Sequence, residues 1–287
     1  MPAPADPTAA RDHLLVPPAW LADRLGMPDV VAVDASWHLP GSGRDAQAEF
    51  LAGHVPGAAF LDIDAVSDPA SGLPHMLPTP LAFAEAMRRI GIGDGQTVVV
   101  YDSVGLFSAP RAWWMLKAMG AADVRVLDGG LPAWRAAGLP LEEGPSRRAA
   151  RPFTARLDHG LLADLDTVRG ALAGGRAVID ARPADRFRGA APEPRPGLRS
   201  GHMPGARNVP FSALVADGRL KDQAGLAAAF ADAGVDPAAP AITSCGSGVT
   251  AAVVLMALAS LGNRRVALYD GSWAEWGGRA DTLVETG

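Results

Sequence analysis

The chain has 287 residues, of which 48% are hydrophobic and 20% charged, a composition typical of a globular protein of about two domains. A formal net charge of -5 excludes a general attraction to nucleic acid or anionic membranes, and the longest apolar stretch, residues 251–261, is too short to span a bilayer. The first fifteen residues lack the pattern of a signal peptide and a single cysteine cannot form an internal disulfide, so we expect a cytoplasmic protein.

Short apolar runs alternate with longer helix-period segments along both halves of the chain. In the first half, one such run ends at Asp34. The strands predicted in the second half are residues 177–180, 241–244 and 266–269, and the helices are residues 224–234 and 250–262. Residues 139–160, rich in Pro, Gly and charge, predict a linker. The alternation predicts two α/β domains, residues 1–145 and 146–287, each a mainly parallel sheet flanked by helices.

The two halves are copies of one another. The matching blocks are 30–39 with 176–185, 52–63 with 200–211, and 97–134 with 240–276. Their order is the same and their separation nearly constant, which indicates a tandem duplication. Where the second half carries Cys245, the first half carries Asp102. We therefore expect one active domain and one that has lost its nucleophile.

Cys245 lies between a predicted strand and a predicted helix. The amide groups at the start of a helix have no intrahelical partner, and together with the helix dipole they favour an anion. Such surroundings lower the pKa of a thiol from its usual value of about 8.5. Gly246 and Gly248 allow successive amides of the loop to converge, as in an anion-binding nest. The alternative is a buried cysteine that serves as a small hydrophobic residue.

Several motifs carry a resemblance to a known family. CGSGVTA, YDGSWAEW, GHMPGA and FRGAAPEPR resemble the two-domain rhodanese superfamily of the 3-mercaptopyruvate sulfurtransferase type, over residues 15–280. The resemblance implies that Cys245 accepts a sulfur atom, becomes a persulfide and passes the sulfur on. It also implies an inactive first domain. The six-residue loop of the second domain would hold the anionic sulfur through Gly246, Gly248, Val249 and Thr250.

Two other classes of function compete with this interpretation. A cysteine phosphatase of similar fold needs an arginine that closes the loop on the phosphate oxygens. Residues 250–252 are Thr, Ala and Ala, so this chemistry is disfavoured. A non-catalytic rhodanese-like module that only binds partners is disfavoured by the retained cysteine and by arginines suited to a substrate.

The identity of the sulfur donor is a separate question. Thiosulfate-specific relatives place basic residues after the cysteine, whereas this chain has Gly246 and Ser247. A mercaptopyruvate-type donor carries a carboxylate, which the guanidinium fork of arginine matches. The arginines of the neighbouring loop are Arg182, Arg186, Arg188, Arg195 and Arg199. By resemblance, Arg186 and Arg195 bind the substrate; the alternatives are a solvated basic loop and a thiosulfate:cyanide sulfurtransferase.

The resemblance also implies a relay in which Ser247 is linked to His75 and Asp64 of the first domain. These two residues act either on a proton or only as a structural contact between domains. His54 and His202 lie in matching turns of both halves, so we assign them to the fold. We expect no metal or organic cofactor, and as acceptors we expect cyanide, a small thiol or a thioredoxin-type dithiol.

Overall fold

The computed structural model describes residues 7–287, so the first six of the fifteen residues that lack a signal-peptide pattern lie outside it. The helices are α1 (Pro7–Leu14), α2 (Pro18–Ala22), α3 (Ala46–Ala52), α4 (Pro80–Arg89), α5 (Ala109–Ala118), α6 (Gly130–Ala136), α7 (Leu165–Ala173), α8 (Ala184–Phe187), α9 (Gln223–Asp232), α10 (Ala251–Ser260) and α11 (Ser272–Trp276). The strands are β1 (Leu15–Val16), β2 (Val30–Asp34), β3 (Ala59–Phe60), β4 (Thr97–Tyr101), β5 (Asp123–Leu127), β6 (Leu162–Ala163), β7 (Ala177–Asp180), β8 (Arg207–Asn208), β9 (Val215–Ala216), β10 (Arg219–Leu220), β11 (Ala241–Ser244) and β12 (Val266–Tyr269).

Two five-stranded parallel sheets form the two halves of the molecule. Their strand orders are β1-β5-β4-β2-β3 and β6-β12-β11-β7-β8, which are the same order in two copies. The predicted α/β class and the duplication are thereby confirmed. The central strands are mainly apolar and are buried on both faces, as expected for strands covered by helices on each side. Each cysteine-position loop follows a central strand, β4 or β11, at the carboxyl edge of its sheet.

One apolar core joins the two halves. Helices α5 and α10 contact each other, and Trp114 and Met115 of the first belong to the same buried cluster as Val254 and Leu258 of the second. A helix that is apolar around its whole circumference belongs between two layers. This explains why the segment after Cys245 contains so few polar residues. Among residues 7–287, no helix has the length and apolar character needed to cross a bilayer.

Each half sends a segment over the cysteine-position loop of the other half. Residues 64–77, which we call the first cover, lie on the loop after β11. Residues 215–220, the second cover, form the antiparallel β9–β10 hairpin and lie on the loop after β4. There, a Cβ on Gly105 would lie 2.6 Å from the Cα of Gly218, and Arg219 Nη1 lies 2.7 Å from Asp128 Oδ2. The covers are exchanged reciprocally between the halves.

Candidate active site

Cys245 is the first residue after β11, and its loop leads directly into α10. Its side chain is buried, and its amide donates to Ser272 Oγ at 3.2 Å. The carbonyl of Cys245 accepts from the Trp273 amide at 2.9 Å. The cysteine backbone is therefore fixed from the side of α11. Gly248 has φ +79°, and a Cβ there would lie 2.7 Å from Arg111 Nη1, so this position requires glycine.

The first domain shows what the loop of the duplicated fold binds. The Asp102 carboxylate accepts hydrogen bonds from five backbone amides, at 2.8 to 3.0 Å. These donors are Val104, Gly105, Phe107, Ser108 and Ala109. An anion buried in the loop is thus surrounded by convergent N–H groups, which form an anion-binding nest.

The five matching amides of the second domain belong to residues 247–251. None of them donates to an acceptor within the described chain, 7–287. Buried amides without partners carry a large energetic cost unless an anion or another acceptor reaches them. The Cys245 loop therefore offers an anion site of the kind that Asp102 occupies in the other copy. Val249 and Thr250 contribute to it through their backbone, and the side chain of Val249 belongs to the core.

Ser247, His75 and Asp64 form a continuous chain of contacts across the domain boundary. His75 Nδ1 lies 3.0 Å from Ser247 Oγ, and His75 Nε2 lies 3.0 Å from Asp64 Oδ1. With the carboxylate accepting from Nε2–H, the lone pair of Nδ1 accepts from the serine hydroxyl. In the protonated ring, Nδ1–H can donate instead to the Ser247 carbonyl at 3.1 Å. The arrangement can hold or move a proton at Ser247 Oγ.

Asp64 connects this chain of contacts to solvent. Its side chain is 62% exposed and borders a cavity of about 320 Å³ that Trp37 and His38 also line. The hydrogen bond from His75 keeps the pKa of Asp64 below its ordinary value, against the effect of partial burial. Trp37 Nε1 donates to the other carboxylate oxygen at 3.0 Å, so both oxygens of Asp64 are held.

Arg111 is a residue of the site that the sequence analysis missed. It lies in α5 of the first domain, is completely buried and pairs with Asp270 Oδ1 at 2.6 Å. Its Nη2 donates to the carbonyl of His75, and Asp270 Oδ2 accepts from the Leu77 amide at 2.6 Å. This ion pair fixes the first cover, in which His75 has the unusual φ of +62°. The available signal was a charge in a helix whose matching position in the second half is Val253.

The five arginines of the basic loop differ in their surroundings. Arg182 is buried against Asp180, and Arg199 donates to the backbone carbonyls of residues 276, 277, 279 and 282. The side chains of these two arginines are held by contacts within the domain. Arg188 is exposed, and Arg186 lies 3.5 Å from the Glu193 carboxylate.

Arg195 lies beside the cysteine loop. Its Nη1 would be 4.0 Å from a Cβ on Gly246, so the absence of a side chain there leaves room next to the guanidinium. Burial lowers the pKa of Arg195, and the nearby Cys245 and Asp64 act in the opposite direction. Of the two glycines expected to let the loop amides converge, Gly248 has a positive φ and Gly246 does not.

The two duplicated histidines pack inside their domains. His54 Nδ1 contacts the Phe50 carbonyl at 2.8 Å, and His202 Nδ1 contacts the Phe187 carbonyl at 2.9 Å. The His54 ring also stacks on the Phe50 ring and the His202 ring on the Phe187 ring, each with 3.8 Å between centroids. The same contacts in both domains support a role in the fold.

The fold and the site define a tandem α/β protein with one cysteine loop built for an anion and one aspartate-filled copy of it. A model of the rhodanese-like domain matches residues 17–137 and 164–279. The chain belongs to the rhodanese-like family, with two such domains in tandem, and the family resemblance of its motifs is confirmed.

The chain is similar over most of its length to known proteins of this family. It is 48% identical over 268 residues to the 3-mercaptopyruvate sulfurtransferase of Escherichia coli (strain K12), covering 93% of this chain and 95% of that protein. It is 43% identical over 274 residues to the Homo sapiens 3-mercaptopyruvate sulfurtransferase, covering 93% of this chain and 92% of that protein. The crystal structure of SseA from Escherichia coli superposes with a TM-score of 0.84 at 46% identity, over 90% of this chain and 98% of that one. The crystal structure of Tum1 from Saccharomyces cerevisiae superposes with a TM-score of 0.87 at 32% identity, over 95% of this chain and 98% of that one.

Proposed function

We propose that the protein is a sulfurtransferase that moves sulfur from 3-mercaptopyruvate, through a persulfide on Cys245, to a thiol or cyanide acceptor. The observation that carries the proposal is the set of unpaired amides 247–251 around the cysteine, matched by five amides that hold the Asp102 carboxylate. The similarity to 3-mercaptopyruvate sulfurtransferases along nearly the whole chain supports the choice of donor.

The donor step forms a persulfide and releases pyruvate. The Cys245 thiolate attacks the thiol sulfur of 3-mercaptopyruvate, so an S–S bond forms and the C–S bond breaks. The electron pair of the broken bond goes to carbon and gives the enolate of pyruvate. The donor's thiol proton, passed by Ser247 and His75, ends on that carbon, and the outer sulfur of the persulfide remains as an anion. Asp64 keeps His75 in the tautomer that accepts from the serine.

The acceptor step returns the cysteine to its thiolate. Cyanide attacks the outer sulfur and leaves as thiocyanate. A thioredoxin-type dithiol removes the same sulfur as hydrosulfide and becomes a disulfide. Neither step requires a metal or an organic cofactor. When the acceptor is a dithiol, it supplies the two electrons that reduce the persulfide; when the acceptor is cyanide, the outer sulfur is transferred to it and no external reductant is consumed. We place the reaction in the cytoplasm, where a lone thiol stays reduced.

The remaining site residues have proposed roles in binding. Arg186 and Arg195 bind the carboxylate and ketone of the donor, and Gly246 leaves space beside Arg195. Gly248, Val249 and Thr250 present the amides that stabilise the anionic outer sulfur. We assign residues 1–145 as a non-catalytic domain that supplies the first cover, and residues 146–287 as the catalytic domain.

The test is the intact mass of the protein after brief exposure to 3-mercaptopyruvate without reductant. We expect a gain of one sulfur atom that Cys245→Ser abolishes and that cyanide reverses with formation of thiocyanate. Asp102→Asn, which leaves the cysteine untouched, is the control for the other loop and retains loading. Faster loading from thiosulfate than from 3-mercaptopyruvate would favour a thiosulfate:cyanide sulfurtransferase. No loading from either donor would favour a binding module.

A further inference from the structure

Glu193 is a buried carboxylate among the arginines of the donor loop. Only 2% of its side chain is exposed. Its Oε1 lies 2.7 Å from Arg182 Nη1, and its Oε2 lies 3.5 Å from Arg186 Nη1. A buried carboxylate persists where cations or donors satisfy both oxygens. The side chain of Glu193 thus links an arginine of the fold to an arginine of the proposed donor site.

Arg182 holds one end of this link in a fixed place. Its guanidinium makes a bidentate contact with Asp180, from Nη2 to Oδ2 at 2.7 Å and from Nε to Oδ1 at 3.1 Å, and donates to the Gly201 carbonyl at 2.8 Å. Its Cζ also lies over the buried Trp273 ring, 4.2 Å from the centroid. These contacts fix the Arg182 side chain, which in turn holds Oε1 of Glu193. The orientation of the Glu193 carboxylate, and so the position of Oε2, is therefore set by the core of the domain.

Arg186 has no comparable support of its own. It lies on α8, a helix of four residues, and 24% of its side chain is exposed. Within the described residues, Glu193 is its ion-pair partner, and no other is present. A long arginine side chain without such a contact samples many rotamers, and ordering it on substrate binding carries an entropic cost.

We propose that Glu193 is a positioning residue that holds Arg186 ready for the carboxylate of the sulfur donor. This inference rests on the proposed function. Charge and position predict opposite effects when Glu193 is neutralised. The arginines Arg182, Arg186 and Arg195 stand against the carboxylates of Asp180 and Glu193. Removing one negative charge makes the loop more positive, so a purely electrostatic role predicts tighter donor binding, whereas a positioning role predicts weaker binding.

The experiment separates the two half-reactions of Glu193→Gln. We expect KM for 3-mercaptopyruvate to rise about tenfold, with kcat within about twofold of wild type. The tenfold figure corresponds to the loss of one charge-assisted hydrogen bond from Arg186 to the carboxylate of the donor. The rate at which cyanide removes sulfur from the preloaded persulfide stays unchanged. Asp281→Asn is the matched control, because Asp281 also bridges two arginines, Arg169 and Arg279, but on the surface of the same domain. Its KM stays at the wild-type value.

A double-mutant cycle tests that Glu193 acts through Arg186. In an Arg186→Met background, Glu193→Gln has no further effect on KM if the inference holds, and its full effect there would overturn it. An unchanged or lowered KM in the single variant would overturn it as well. If Glu193→Gln loses its cooperative thermal transition, Glu193→Asp replaces it, because this variant keeps the charge but shortens the side chain. A rise in its KM for 3-mercaptopyruvate supports the positioning role, and an unchanged KM overturns it. Failure of the wild-type protein to accept sulfur from 3-mercaptopyruvate refutes the proposed function instead.

Discussion

The matching aspartates at the ends of β2 and β7 have opposite predicted effects on stability. Asp34 and Asp180 are both 1% exposed, but Asp180 is paired with Arg182, whereas Asp34 has Ser36 at the corresponding position, with Oγ 2.5 Å from its Oδ1. Burial without a cation raises the pKa of Asp34 to about 6 from its ordinary 3.8. We predict that Asp34→Asn stabilises the protein at neutral pH and that Asp180→Asn destabilises it.

The magnitude follows from the shift in the pKa of Asp34. A raised pKa means that the folded state binds the proton more tightly than the unfolded state, so stability falls as pH rises from 3.8 to 6. About two pKa units correspond to about 3 kcal/mol of lost stability above pH 6. An asparagine does not ionise, and its Oδ1 can still accept from Ser36. The stability gain of Asp34→Asn therefore grows by about 1.4 kcal/mol between pH 5 and pH 7.5.

Urea unfolding at these two pH values measures both variants. Taking the difference from wild type at each pH removes the titration of all other carboxylates. Asp180→Asn serves as the matched control and loses about 3 kcal/mol at both pH values, because the buried Arg182 keeps Glu193 but loses the other of its two carboxylate partners. A pH-independent difference for Asp34→Asn, or a loss of stability at pH 7.5, would refute the prediction. Either result would show that the hydrogen bonds to the Asp34 carboxylate outweigh the cost of burying its charge.

Three further predictions concern the two loops. Asp102→Asn weakens the hydrogen bonds of five amides, so the free energy of unfolding falls by about 3 kcal/mol while KM for the donor is unchanged. Ser247→Ala lowers persulfide formation from 3-mercaptopyruvate by about 100-fold in stopped-flow assays, the usual effect of losing a positioned acid, and an effect below twofold would refute the relay. Gly248→Ala forces a methyl group against Arg111 and a side chain into a positive φ, so we expect loss of activity and a lower Tm, and wild-type values for both would contradict the geometry.

Local pattern was sufficient to predict the sheets and the position of Cys245. Short apolar runs and their alternation with helix-period segments are properties of neighbouring residues, and the structure has the predicted strands at 177–180, 241–244 and 266–269. The duplication identified Asp102 as the counterpart of Cys245. It did not reveal that this carboxylate collects five amides, because the conformation of a loop is not encoded in any periodicity.

The contacts between the halves could not be derived from pattern. His75 and Asp64 came only from the family resemblance, since 172 residues separate His75 from Ser247. Their contact is present in the structure, and their chemical role stays a prediction. Arg111 and Glu193 were missed because an isolated charge in an apolar helix and an acid in a basic loop have many possible partners. Which partner a buried charge finds depends on the packing of the whole molecule.

The exchange of covers between the domains has a consequence for how such a chain can evolve. Because residues 64–77 complete the loop that holds Cys245, the second half on its own lacks the His75 contact and the Arg111–Asp270 pair. Fusion into one polypeptide fixes the ratio of the two copies at one to one and guarantees that each finds its neighbour. Within one polypeptide, the first copy can use an aspartate to stabilise its own loop, while a substitution in either half can disturb the loop that holds Cys245.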